Sequence, residues 1–324
     1  MTDVALAEPR RFSTSDNGLS AAMATAFAED GYLLIEGFVS EAACDQLREH
    51  AEQLVAGFDV TTEATIFSTT SGRHAADAYF QESGDKIRFF FEEAAFDSAG
   101  RLKQAKALSI NKIGHALHDL DPVFSAFSRQ PQLKSLASGL FKEPLLLQSM
   151  YIFKQPAIGG EVTWHQDSTY LYTEPMSCVG FWFALEDATR ENGSMFAMPG
   201  AHRGPLRQRF RRKGGALVTE TVDTGAWPEG PRVALEAKRG TMIALHGLLP
   251  HHSGPNRSDR SRHAYTLHVI DGVCRYPADN WLRRGPELPL RGFQIGPTEA
   301  AVRSSEQGSW PGYPAGGRSL RSSP

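Results

Sequence analysis

The sequence lacks any run of roughly 18 apolar residues, the length that reads as a membrane-spanning helix, so no spanning segment is expected. Cysteine is scarce: Cys44, Cys178 and Cys274 are the only three. Three cannot all pair and none forms a CxxC, so we read them as reduced packing residues of a cytosolic protein. No charge of one sign dominates either. The 34 Lys+Arg and 37 Asp+Glu leave a formal net charge of -3, which provides no general attraction to nucleic acid or anionic membrane. The opening MTDVALAEPRR has no positive segment followed by an apolar one, so no secretory signal is expected. The closing RSSP is not the peroxisomal Ser-Lys-Leu address. The expected compartment is the cytoplasm. No internal repeat is found, and nothing in the pattern specifies an oligomeric state.

What is present is an ordinary globular composition, 41% hydrophobic and 22% charged, with chain enough for a substantial core. Residues 1–18 are polar and expected to be loose. Residues 19–30 read as a helix with Leu19, Met23, Ala26 and Phe27 on one face, stopped by Gly31. YLLIEGFV follows as a strand, and Ser40 is placed to cap a helix over 41–55. The Thr-, Ser- and Gly-rich stretch 60–85 reads as a surface loop and IRFFFEEA (87–94) as a strand. Helices are expected over 101–119 and 123–140, the second opened by Asp121-Pro122. From 144 onward short β-type runs recur between turn signals, the pattern of an antiparallel sandwich or barrel. The stretch 203–230, with its basic RQRFRRKGG, reads as a solvated insertion between strands rather than a nucleic-acid patch.

The sharpest local feature is Trp164-His165-Gln166-Asp167. In an extended chain residues two apart share a face, so His165 and Asp167 project together and Gln166 opposes them. One imidazole and one carboxylate side by side make up most of a 2-His-1-carboxylate triad, which holds iron(II) and leaves positions open. Alone, HxD is weak. A distant histidine must complete the set, and His246, His251 and His252 stand close together downstream. The same segment carries Arg257, Arg260 and Arg262. An arginine shortly after the last ligand suits 2-oxoglutarate, whose far carboxylate a guanidinium grips through two parallel hydrogen bonds. The aromatic residues Phe89, Phe90, Phe91, Tyr170 and Tyr172 are candidates for a substrate pocket or for the core.

Six blocks in order now carry a resemblance: DGYLLIEGFVS, DKIRFFFE (85–92), INKIGHALHDLDPVF (110–124), HQDSTYLYTEP (165–175), WFALEDATRENGSMFAMPGAH (182–202) and HHSGPNRSDRSRHAYTLH (251–268). Together they resemble the phytanoyl-CoA dioxygenase family over about residues 20 to 285. The resemblance implies a mainly β, α+β fold: a cupin-like double-stranded β-helix, or jelly roll, with flanking helices. It implies one catalytic domain over 19–300, with a helical and β part at 19–143, the jelly-roll core at 144–275 and the insertion at 203–230, followed by a flexible tail at 301–324.

For the site it implies His165, Asp167 and His251 as ligands of Fe(II), with O2 and 2-oxoglutarate as co-substrates. His251 is favoured by the Ser253 and Asn256 that follow it. Arg262 and Ser253 would hold the far carboxylate of 2-oxoglutarate, Lys112 would add a positive contact, Met150 and Trp182 would wall its pocket, and Gln166 would contribute along the strand. Phe89, Tyr170 and Tyr172 are the substrate candidates. The implied function is hydroxylation or a related oxidation of a small organic molecule, with release of succinate and CO2. Asp167 argues against halogenation, for which family-like enzymes replace the carboxylate by a small residue. The competing readings are a cupin-like metal enzyme that does not use 2-oxoglutarate and a non-catalytic binding module on the same fold. The expected partner is a small-molecule substrate, with neither nucleic acid nor membrane.

Overall fold

Alternation of side chains along three central strands organises the architecture. The computed structural model describes residues 6–14, 18–59, 65–67 and 78–294. In it Met242–His246, Val179–Ala184 and Ala264–Asp271 lie side by side and antiparallel. All three are buried on both faces, and the two-residue period sorts their side chains into separate cores. Phe181, Phe183, Met242, Ala244, Tyr265 and Leu267 face the helices, where Met23, Ala26, Leu47, Ala51 and Val55 meet them. Trp182, Ala184, Ile243, Leu245 and Ala264 face the other way, onto Met195, Ala197, Val233 and Leu235 of a second sheet.

The larger sheet has nine strands in the order Arg11–Ser13, Tyr32–Glu36, Met242–His246, Val179–Ala184, Ala264–Asp271, Pro144–Ile152, Ile110–His115, Ile87–Glu92 and Thr65–Phe67. The smaller has five: Leu6–Ala7, Arg232–Leu235, Met195–Ala197, His251–Ser253 and Val162–His165. From Pro144 to Asp271 the chain crosses repeatedly between the sheets, which is the winding of a double-stranded β-helix; neither sheet closes into a barrel. The described residues up to Phe293 belong to one compact unit. The tail expected at 301–324 lies outside the described residues.

Local chemistry explains the helices. Ser20 accepts from the Met23 amide at the start of Ala21–Asp30, and Gly31 ends that helix with φ 80°. Ser40 accepts from the Ala43 amide at the start of Glu41–Gly57. Three readings of the sequence are corrected. The helix expected over 123–140 is two, Pro122–Ser128 and Pro131–Leu140, because Pro131 has no amide hydrogen to donate and instead opens a new helix. The stretch 101–119, expected as one helix, holds a 3-10 turn Lys106–Leu108, a strand Ile110–His115 and most of a short helix Leu117–Leu120. Within the stretch expected to be loose, Leu6–Ala7 and Arg11–Ser13 pair as edge strands. In 60–85, residues 60–64 and 68–77 lie outside the described residues, Thr65–Phe67 is a strand, and Ala78–Gln81 is a short helix.

The insertion has structure of its own. Gln208–Lys213 and Ala216–Thr221 form an antiparallel hairpin, turned by Gly214 and Gly215 at φ 58° and 86°. Its basic residues are largely neutralised: Arg209 and Arg211 pair with Asp279, Arg211 and Lys213 with Glu220, and Arg207 with Asp223. Among the described residues no helix is long and apolar enough to cross a membrane.

Phe183 is fully buried between Phe38, Phe127 and Tyr265. Phe183→Ala is therefore expected to destabilise the fold by about 3–5 kcal/mol, read as a lowered denaturant midpoint. A loss under about 1 kcal/mol would mean that this face of the sheet is not the main core.

Candidate metal centre

Two short strands of the smaller sheet create the site. Val162–His165 pairs antiparallel with His251–Ser253, and His165 stands directly opposite His251. Facing residues on neighbouring strands project to the same side, so the two imidazoles meet, with ring centroids 4.2 Å apart. The strand ends at His165. Gln166 is still extended, and Asp167 opens a 3-10 turn, Asp167–Thr169, which keeps the carboxylate on the side of His165. Asp167 Oδ1 lies 3.7 Å from Nε2 of His165 and 3.7 Å from Nε2 of His251. One ligand atom from each of the three residues lies within 4.8 Å of the others.

The hydrogen bonds around the rings fix what they offer. His165 Nδ1 meets the Thr163 carbonyl at 2.8 Å and His251 Nδ1 meets the Leu249 carbonyl at 3.0 Å. A carbonyl can only accept, so each Nδ1 carries a proton and each Nε2 is the ring atom turned to the centre. Burial, followed by the neighbouring His251, pulls His165 down to about 4, so it is neutral near pH 7. Burial works to raise the Asp167 carboxyl, but the facing His251 and His268 outweigh it and hold the group well below the usual carboxylate range. Two imidazoles and one carboxylate, spaced too widely to hydrogen-bond one another, are a donor set for a divalent cation.

The other histidines are placed elsewhere. His252 turns to the opposite face of its strand, stacked on Phe196 and packed against Trp164. His246 accepts from the Leu248 amide at 3.1 Å and packs by Phe27 and His202.

Arg262, just ahead of the strand Ala264–Asp271, is only 2% exposed, with its guanidinium carbon 5.2 Å from the Trp182 ring centroid. Its Nε and Nη1 are buried without a hydrogen-bond partner among the described residues, and burial pulls it down to about 10. A buried guanidinium with open donors is costly unless an anion completes it. Ser253 shares the inward face of its strand with His251. On the larger sheet, Trp182 pairs with Thr266, Thr266 with Met150 and Met150 with Gly114, so Trp182 and Met150 share that sheet's inward face. Lys112 lies on the same face, its ammonium 5.5 Å from the Phe90 ring and, through burial, pulled down to about 7.

Two expected residues are not where the sequence placed them, and a third is displaced. Gln166 is fully engaged away from the ligands: Nε2 donates to the Leu248 and Pro205 carbonyls, and Oε1 accepts from the Arg207 amide. Its side chain clamps the loop and does not enter the pocket. Phe89 faces the helices, stacked on Phe58 at 4.3 Å, because the pleat turns it away from its neighbour Phe90. Tyr172 packs under Arg209 at 4.1 Å, whereas Tyr170 does reach the site, its ring 6.1 Å from His165.

Neither His268 nor Phe210 stood out in the sequence. His268 Nε2 lies 3.4 Å from Asp167 Oδ2, on the carboxylate oxygen turned away from the two other imidazoles. It sits opposite Gly180, where a Cβ would come within 2.9 Å of Asp167 Oδ2. The signal was available: His268 has the parity of Thr266, which pairs with Trp182. Phe210, from the hairpin, lies 5.6 Å from Tyr170 and 6.1 Å from Trp281.

Residues 27–264 match the sequence profile of the family described as phytanoyl-CoA dioxygenase (PhyH). The chain belongs to the phytanoyl-CoA dioxygenase family. Its relatives include a phytanoyl-CoA dioxygenase of Arabidopsis thaliana, 49% identical over 80% of this chain and 91% of that protein. The Bos taurus phytanoyl-CoA dioxygenase domain-containing protein 1 is 43% identical, over 84% of this chain and 97% of the relative. Membership makes the chain an oxidoreductase. Solved structures share its fold: the non-haem alpha-ketoglutarate-dependent carbocyclase SnoK, from nogalamycin biosynthesis, aligns with a TM-score of 0.59 at 19% identity, over 86% of this chain and 98% of SnoK. EctD from S. alaskensis, solved with 2-oxoglutarate and 5-hydroxyectoine, aligns with a TM-score of 0.55 at 20% identity, over 88% of this chain and 93% of EctD. The fold is the expected jelly roll.

Removing the support behind Asp167 has a measurable consequence. His268→Asn is expected to weaken divalent-metal affinity roughly 10–100-fold while leaving the melting temperature near wild type. Calorimetric titration checks this; unchanged affinity would show that His268 does not orient the carboxylate.

Proposed function

We propose that the protein is an iron(II)- and 2-oxoglutarate-dependent dioxygenase that hydroxylates or otherwise oxidises a small organic molecule, releasing succinate and CO2. Two observations carry this reading together: the cluster of His165, Asp167 and His251, and a buried Arg262 whose Nε and Nη1 have no hydrogen-bond partner among the described residues. Iron bound by the triad, together with 2-oxoglutarate and O2, would supply the oxidising chemistry.

The chain's own residues then have separable tasks. His165, Asp167 and His251 hold the ion, and the carbonyls of Thr163 and Leu249 keep their imidazoles in the coordinating tautomer. Arg262 and Ser253 take the far carboxylate of the co-substrate, Lys112 adds positive charge, and Trp182 and Met150 enclose its carbon chain. No side chain is needed as a general acid or base. Tyr170, 37% exposed, with Phe210 beyond it, forms an aromatic side to the substrate position. The retained Asp167 carboxylate supports oxygenation over halogenation.

Two other readings predict different chemistry. A metal enzyme without 2-oxoglutarate leaves Arg262 buried with no occupant for its open donors, and a non-catalytic module gives no reason for a complete ligand set. EctD, which shares the fold, was solved with 2-oxoglutarate, and this supports the same co-substrate here.

The test is succinate formation from 2-oxoglutarate by the iron-loaded protein in air, without added substrate. Wild type is expected to turn over slowly, and Asp167→Ala to lose at least about 100-fold, because the ion's only carboxylate ligand is gone. Succinate formation by Asp167→Ala at the wild-type rate, or tight iron binding by wild type with no succinate at all, would contradict the proposal.

A further inference from the structure

Lys154 follows the strand Pro144–Ile152 and is buried, 2% exposed. Its backbone lies at φ 41°, in the left-handed region that side-chain-bearing residues avoid at a cost. Neighbouring groups hold it there. The Lys154 carbonyl accepts from Asn256 Nδ2 at 2.9 Å and from the Arg262 amide at 3.3 Å. Its stem runs beneath Gly193, where a Cβ would lie 2.7 Å from Lys154 Cε; Gly193 itself sits at φ 88°. The ammonium, delivered this way, donates to the Gly160 carbonyl and, over 3.1 Å, to Ser253 Oγ. Burial first, and then the nearby Arg262, pull the amine down to about 7.

In its protonated form the Lys154 amine has three hydrogens and no lone pair. Its contact with Ser253 therefore makes the hydroxyl an acceptor and leaves the hydroxyl's own proton to be donated elsewhere. Ser253 points inward on the face that His251 shares, and the amine it meets also lies within electrostatic reach of Arg262. Lys154 and Arg262 are buried within electrostatic reach of each other; Glu92 offsets part of the charge of both, and an anion at the hydroxyl would offset more.

The geometry points to Lys154 as a positioning residue for the co-substrate's far carboxylate: its ammonium fixes Ser253 as an acceptor from below, so that the hydroxyl donates to the carboxylate alongside Arg262. This rests on the reading of the protein as a 2-oxoglutarate enzyme. It makes Lys154 a determinant of selectivity for a 2-oxo diacid over a 2-oxo monoacid. The strained backbone at Lys154 and the glycine at 193 then have a common purpose, since both are needed to bring the amine to Ser253.

The experiment is anaerobic titration of the iron(II)-loaded protein with 2-oxoglutarate and with 2-oxopentanoate, which has the same chain length but no second carboxylate. The visible absorption that accompanies chelation by the 2-oxo acid end gives Kd for each, and melting temperature is recorded in parallel. In Lys154→Met, 2-oxoglutarate is expected to bind at least about tenfold more weakly, or about 1.4 kcal/mol, while 2-oxopentanoate stays within roughly twofold of wild type. Lys154→Gln, which keeps a donor without the charge, is measured beside it and should show a smaller loss with the same selectivity. If Lys154→Met does not fold, Lys154→Gln decides by that criterion. Equal weakening of both acids, or no weakening of either, overturns the role of Lys154. Absence of any 2-oxoglutarate absorption in wild type overturns instead the reading beneath it, and this inference with it.

Discussion

The pairing of His165 with His251 is the constraint on which the rest depends. It joins strands of four and three residues, and a slip of one residue in either would exchange inward for outward side chains. His252 would then face the pocket, and His251 would take the place against Phe196 and Trp164. The register is held from the far side, where Met195–Ala197 pairs with the same strand, setting Ala197 against His251 and Met195 against Ser253. Because Met195 and Ala197 also pack into the core between the sheets, hydrophobic burial sets the position of the ligand. A one-residue irregularity between His251 and Ser253 still brings both side chains inward.

The second organising feature is charge. Lys112, Lys154 and Arg262 are all buried around one interior, and burial alone would be prohibitive without compensating anions. Glu92 is near Lys112 and Lys154, though burial pushes its carboxyl up. A dianionic co-substrate suits such a pocket, and the cations define its orientation. Phe80, Phe90, Phe210 and Trp281 form an apolar cluster, and the Lys112 ammonium lies against its Phe80 and Phe90 rings. The hairpin contributes to this cluster through Phe210, while its surface arginines are tied up by Asp279 and Glu220.

How much of this could be read in advance follows from the range of each signal. His165 and Asp167 were legible as a pair because parity along an extended chain is local, and it survived even though the strand stops one residue short of Gln166. The choice among His246, His251 and His252 was not local. It depends on which strand faces Val162–His165, and only the resemblance to a family pointed to His251. The capped helices at Ser20 and Ser40 were legible for the same reason as HxD: a cap is a contact over three residues. Ile110–His115 was misread as helix because its character comes from the strands on either side of it. Phe89 was misassigned because a run of three phenylalanines does not say which of them faces the pocket. His268 and Lys154 were missed because their partners, Asp167 and Ser253, lie about a hundred residues away in the chain.

Stoichiometric binding of iron(II) tests the central claim most directly. Metal-free protein is titrated anaerobically, and bound iron is counted per chain in wild type and in His165→Ala, Asp167→Ala and His251→Ala, each checked for folding by its circular dichroism. The account predicts one ion per chain in wild type and severe loss of affinity in every one of the three folded variants, with His252→Ala and His246→Ala binding as wild type does. Retention of wild-type affinity when His251 is removed, or its loss when His252 is removed, would show that the two facing strands do not share one ion as described.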